Sequence, residues 1–234
     1  MSGRFRIVSV IAALFIACTS VSAQLRGITL SRSFNGYDFL LLNDSVQKEI
    51  KLSDEEIIKA KEIIRAIRMK HRPDMEECRK LPAPAGSAKL REVMNALSGE
   101  TLEKVTAILQ PEQVKRLKQI NLQHEGLRAF AKADIIKELS LTETQKQEIK
   151  KIQEGLDQES EQAFQAGTRG NYQEALARLA KHRREAVQKA VKQLTPEQTR
   201  VWKNVSGEPF DIKYQSPALQ RAAEQEKKSS TPDK

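Results

Sequence analysis

Three side chains able to bind a borderline metal lie close together in the chain: His71, Asp74 and Cys78. If a helix through them bends at Pro73, the three fall near one another, and the chemistry they suggest is zinc binding. A zinc site normally takes three or four such ligands in fixed geometry; solvated surface residues are the alternative. His124-Glu125 opens like the helix of a zinc protease, but position 128 is Arg, so the second histidine is missing. His182 stands in Lys181-His182-Arg183-Arg184, a run that repels a cation and reads as surface. There is no Gly-x-Ser-x-Gly elbow, phosphate loop or Asp-rich calcium loop in the sequence. No enzyme and no cofactor are expected.

Cysteine chemistry is equally limited. Cys18 follows Phe15-Ile16-Ala17 and resembles a lipoprotein acylation box, although Leu usually stands where Phe15 does. The competing reading is a secretory signal. Arg4 and Arg6 give a positive start, and Ile7 to Ala17 form an apolar run too short to span a bilayer, which needs about 20 residues. Val21-Ser22-Ala23 then offers small residues for cleavage after Ala23. The expected location is periplasmic or secreted, with Cys18 discarded with the signal. Cys78 is then the one remaining cysteine, which excludes a disulfide framework; it is free or bridges two chains.

The chain carries a formal charge of +9, and losing Arg4 and Arg6 with residues 1–23 leaves +7. Such a surface attracts acidic polypeptides or anionic lipid heads, or serves solubility alone. Export argues against nucleic acid, and aromatics at 5% argue against binding by base or sugar stacking. No later segment is apolar enough to span a membrane.

The elements that would position these groups are helices. Leu90, Val93, Met94, Leu97, Leu102 and Val105 recur every three or four positions, as do Ile149, Ile152, Leu156, Ala163 and Phe164, and then Leu176, Leu179, Val187, Ala190 and Val191. Charged and amide side chains fill the intervening faces, the amphipathic pattern. Leu81 to Ser87 and Gly167 to Asn171 carry Pro and Gly that break helices, so two helical hairpins are expected. Phe39 to Leu42 starts a short packed helix, Trp202 anchors the last helix, and Phe210 locks the chain end. The expected organisation is a signal at 1–23, an N-terminal segment at 24–43, helical units at 44–133 and 134–210, and a polar tail at 211–234.

The helix starts repeat. Leu52-Ser53-x-x-Glu56 precedes the first long helix and Leu109-x-x-x-Gln113 the helix after the first hairpin; Leu141-Thr142-x-x-Gln145 and Leu194-Thr195-x-x-Gln198 occupy the same places in the second half. The first and third start 89 positions apart (52 to 141), and the second and fourth 85 apart (109 to 194). Lys48-Glu49-Ile50 and Lys137-Glu138-Leu139 flank the first and third alike. This suggests a tandem duplication within an all-α fold. Ser53, Thr142 and Thr195 stand at N-caps with Glu56, Gln145 and Gln198 three positions on, the capping-box arrangement. Pro111 and Pro196 fit the first helical position, whereas Gln110 is a poor cap.

These residues resemble the LTxxQ motif of a family of bacterial periplasmic proteins that includes the Spy- and CpxP-like envelope-stress chaperones and zinc-responsive relatives. Two copies match in full and two in part, over roughly residues 44–207. The resemblance implies ATP-independent binding of unfolded or misfolding envelope proteins. The alternatives are docking on an envelope sensor protein without chaperone activity, or a metal-binding stress protein. Family members have two copies in a smaller chain; four copies here suggest a fused pair of units, with a dimer still possible.

Overall fold

The computed structural model describes residues 36–82, 84–167 and 172–213, without the side chains of 161 and 163–177. The expected signal peptide, Cys18, most of the expected break at 167–171 and the tail beyond 213 lie outside the described residues. So do the side chains of Ala163, Phe164 and Leu176. The elements are helical throughout, with no strand among the described residues. Two short helices, α1 (Tyr37–Leu41) and α2 (Asp44–Glu49), lead into the long α3 (Asp54–Lys80), which pairs with α4 (Ala85–Thr106). Next come α5 (Pro111–Glu125), a 3₁₀ turn (Gly126–Ala131) and α6 (Ala133–Glu138). A second long pair, α7 (Glu143–Gly167) and α8 (Tyr172–Val191), precedes α9 (Pro196–Ser206). No described helix is long and apolar enough to cross a membrane.

Element order and spacing recur. Starts at Tyr37, Asp44 and Asp54 are each followed 89 positions later by Gly126, Ala133 and Glu143. The end of α4 at Thr106 and the start of α5 at Pro111 are each followed 85 positions later by Val191 and Pro196. Backbone conformation follows suit. The non-glycine residues with positive φ are Lys51 (55°) and Ser140 (50°), again 89 apart. Each ends a short helix, and the next amide reaches back to close it: Leu52 to the Gln47 carbonyl (2.9 Å) and Leu141 to that of Ile136 (3.0 Å). A non-glycine residue in this conformation costs on the order of 1 kcal/mol or more, which burial of Leu141 beside it offsets.

Two apolar clusters hold the helices. The first gathers Leu40, Leu41, Val46, Ile64, Val105 and Leu117, among others. The second gathers Phe130, Leu139, Leu141, Ile149, Ala190 and Trp202 with their neighbours. Each large side chain so buried contributes roughly 1.5–3 kcal/mol. Trp202 stacks on Phe130 with ring centroids 4.2 Å apart, the anchoring expected for the last helix.

Cluster membership corrects the expected unit boundaries. Helix α1, placed by sequence in a separate segment 24–43, supplies Tyr37, Leu40 and Leu41 to the first cluster. Leu122, Leu127 and Phe130, placed in the unit 44–133, belong to the second. Phe210 returns to the first cluster and takes Ile212 with it, so the polar tail begins later than residue 211. That return is clamped by polar side chains of α5. Gln123 Nε2 donates to the carbonyls of Ser206 (2.6 Å) and Glu208 (2.8 Å), and its Oε1 accepts from the Phe210 amide (2.8 Å). Gln119 holds the Asn204 carbonyl (3.2 Å). Gly207 turns the chain there with φ +65°, and a Cβ at that position would collide with the Gln119 amide.

Candidate functional site

The four motif copies form two clasps. In the first full copy, Thr142 Oγ1 accepts from the Gln145 amide (3.2 Å) and Gln145 Oε1 accepts from the Thr142 amide (3.0 Å). Thr195 and Gln198 do the same at 3.2 and 2.9 Å. Each box therefore satisfies two amides that a helix start leaves open. The glutamines then reach across. Gln145 and Gln198 exchange amide hydrogen bonds at 2.6 and 3.0 Å. Gln145 also donates to the Gln193 carbonyl (2.9 Å) and Gln198 to that of Leu139 (3.0 Å).

The other two copies clasp less completely. Glu56 Oε2 accepts from the Ser53 amide (2.8 Å) and from Gln113 Nε2 (3.2 Å), and Gln113 also donates to the Lys51 carbonyl (3.2 Å). Gln113 Oε1 accepts from the Gln110 amide (2.7 Å), so the weak cap still has half of its box. Glu56 as a carboxylate has no N–H to offer, so the bond equivalent to Gln145–Gln193 is missing. The Ser53 amide, then Gln113, hold its carboxyl below the usual range. Leu109 and Leu141 are buried and Leu52 and Leu194 half-buried. The motif is thus a tie between helix starts, with no free reactive group.

The suggested metal ligands do not converge. Helix α3 runs on through Pro73 without ending. His71 lies 3.7 Å from Asp74, but its Nε2 is 3.0 Å from Glu100 Oε2 on α4. Lys70, then His71, hold the Glu100 carboxyl below its usual range. Cys78 lies about 10 Å further along the axis at 1.5 Å per residue, free and 3% exposed. No group of three or more His, Cys, Asp and Glu suited to a metal occurs among the described residues. His182, expected as bare surface, is half-buried, its Nδ1 2.6 Å from Glu159.

A site that the sequence reading did not name lies on α3. Leu42, in the turn after α1, and the α3 residues Ile64, Met69 and Met75 line an open groove of ≈ 380 Å³. Lys61, Arg65, Arg68 and Arg72 stand around it. Ile64 is buried and joins the first cluster, whereas Met69 is 59% exposed and Ile58, 11 positions earlier on the same helix, 58%. Arg68 is tied to the buried Asp38 at 2.6 Å and Arg72 to Glu76 at 2.9 Å. No ion pair engages Lys61 or Arg65 among the described residues. The signal was present in the sequence: residues 57–73 hold six Lys or Arg and one acid, Glu62.

The matched positions on α7, 89 further on, are Lys150, Gln153, Glu154, Asp157 and Gln158 in place of Lys61, Ile64, Arg65, Arg68 and Met69. The same helical pattern therefore accommodates acidic and amide residues at these positions, so the cations and Met69 of α3 are not demanded by helix pairing. Such a groove can accept apolar side chains on a soft thioether lining while its rim binds carboxylates.

Compared with models of known families, with curated proteins and with solved structures, the chain gives no match.

Proposed function

We propose that this chain is an exported binding protein that holds unfolded or misfolded polypeptides without nucleotide hydrolysis. The observation that carries the reading is the open groove on α3, where Met69 presents apolar surface to solvent beside Lys61 and Arg65, which have no ion-pair partner among the described residues, with exposed Ile58 on the same helix. Exposed apolar surface rimmed by polar groups marks interaction sites. Loose polypeptides expose both apolar and charged groups, and a lining of methionines adapts to varied shapes. The LTxxQ-like helix starts and the leader-like residues 1–23 support the same reading. So does the repeated element spacing, which is what fusion of two helical units would produce.

Light scattering of a denaturing client tests it. Substoichiometric to stoichiometric amounts of the purified chain, without ATP, are expected to suppress aggregation, and Ile58→Asp with Met69→Asp to weaken that effect. No suppression at several-fold molar excess would sink the proposal.

A further inference from the structure

We infer that the α3 groove selects one class of guest: a polypeptide segment in which large apolar side chains alternate with Asp or Glu. The inference rests on the binding reading above and narrows it. Three features of the groove specify the guest. Its floor and walls are Leu42, Ile64, Met69 and Met75, which leave an apolar side chain of the guest nothing polar to displace. Its rim is wholly cationic, with no carboxylate lining it. Two of the rim cations, Lys61 and Arg65, have no ion-pair partner among the described residues, so a guest carboxylate gains a charge-assisted bond there without breaking one of those.

The second half of the fold supplies the internal contrast. At the matched positions on α7, Glu154 and Asp157 replace Arg65 and Arg68, Gln153 replaces Ile64, and Gln158 replaces Met69. Residues 152–162 contain no Lys or Arg. One surface is therefore built for acidic–apolar guests and its counterpart is not. A flat anionic lipid surface satisfies the rim but not the concave floor. The α7 face of a second copy offers carboxylates but half-buried Gln153 and exposed Gln158 amides in place of apolar anchors.

Fluorescence anisotropy with labelled 16-residue peptides decides the matter. The probes are a Leu/Glu peptide, its Leu/Lys counterpart and a Ser/Glu peptide. The Leu/Glu peptide is expected to bind at least about tenfold tighter than either other probe, the scale of a few exposed charge contacts. Its binding should weaken as salt rises. Arg65→Glu with Lys61→Glu, both on exposed helix surface, is expected to abolish that preference. Lys150→Glu at the matched position on α7 should leave it intact.

Equal binding of all three peptides, with aggregation suppression retained, would overturn the acidic–apolar selectivity and leave the general binding function standing. Loss of both peptide binding and suppression would overturn both. Binding to phosphatidylglycerol vesicles stronger than to the Leu/Glu peptide would assign the face to lipid. Self-association in sedimentation that is abolished by Glu154→Lys would assign it to a second copy. Either result overturns the inference.

Discussion

Replacing Gln198 by Ala should destabilise the fold by far more than an exposed polar side chain ordinarily does. Its side chain accepts from the Thr195 amide, donates to the Leu139 carbonyl and exchanges two bonds with Gln145. A typical hydrogen bond contributes about 0.5–1.5 kcal/mol net. Water replaces part of what is lost at a half-exposed site, so the expected cost is about 2 kcal/mol. For a chain of this size that is a drop of roughly 4–8 °C in Tm. Gln145→Ala should cost a similar amount. Because the two amides share bonds, the double variant should fall short of the sum by on the order of 1 kcal/mol. Urea unfolding followed by circular dichroism at 222 nm gives all four corners of the cycle. Strict additivity, or single-variant losses below about 0.5 kcal/mol, would refute the clasp and leave two independent helix caps.

The first clasp should be pH-sensitive where the second is not. The Glu56 carboxyl is held below its unfolded value chiefly by the Ser53 amide, so its contribution is present above that value and is lost as pH falls through the folded one. Glu56→Gln should flatten Tm against pH between roughly 5 and 3, and an unchanged slope would exclude the effect. His124 behaves differently: burial, then Arg128 and Arg183, push it down to about 4 from 6.5. Its contribution is full above pH 6.5 and falls as pH drops toward 4, by on the order of 1–3 kcal/mol; His124→Gln should reduce this loss in acid urea titrations. Gly207→Ala should cost about 1–3 kcal/mol through its positive φ and the Gln119 collision. Adding Gln119→Ala should restore only part of the urea midpoint, and complete restoration would deny the backbone share.

Local signals made much of this fold legible. The capping boxes at Ser53, Thr142 and Thr195 mark helix starts within a residue, because the chemistry of a cap lies within four consecutive positions. The breaks at Leu81–Ser87 and Gly167–Asn171 fall where α3 and α7 end. What was not legible depended on partners distant in sequence. The Gln145–Gln198 exchange spans 53 positions, and nothing in either motif copy announces the other. The sequence places helix α1 and the 3₁₀ turn on the wrong side of each boundary because both are too short to show a period. Pro73 suggests a bend, yet long pairing with α4 carries the helix past it. The groove is hidden in the sequence because Met69, like the exposed Ile58 on the same helix, looks like any apolar residue in a helical stripe. Only exposure separates them from Ile64 and Ile67, which are buried.

The return of Phe210 and Ile212 to the first cluster has a consequence for the order of assembly. A chain that emerges amino end first brings out α1 to α5 long before residues 210 and 212 arrive. Until then that cluster lacks two of its apolar pieces, and the Gln123 amide lacks the carbonyls it grips. The first of the described helices to appear are thus among the last to be sealed. During synthesis the cluster therefore stays an unsealed intermediate until residue 212 has emerged.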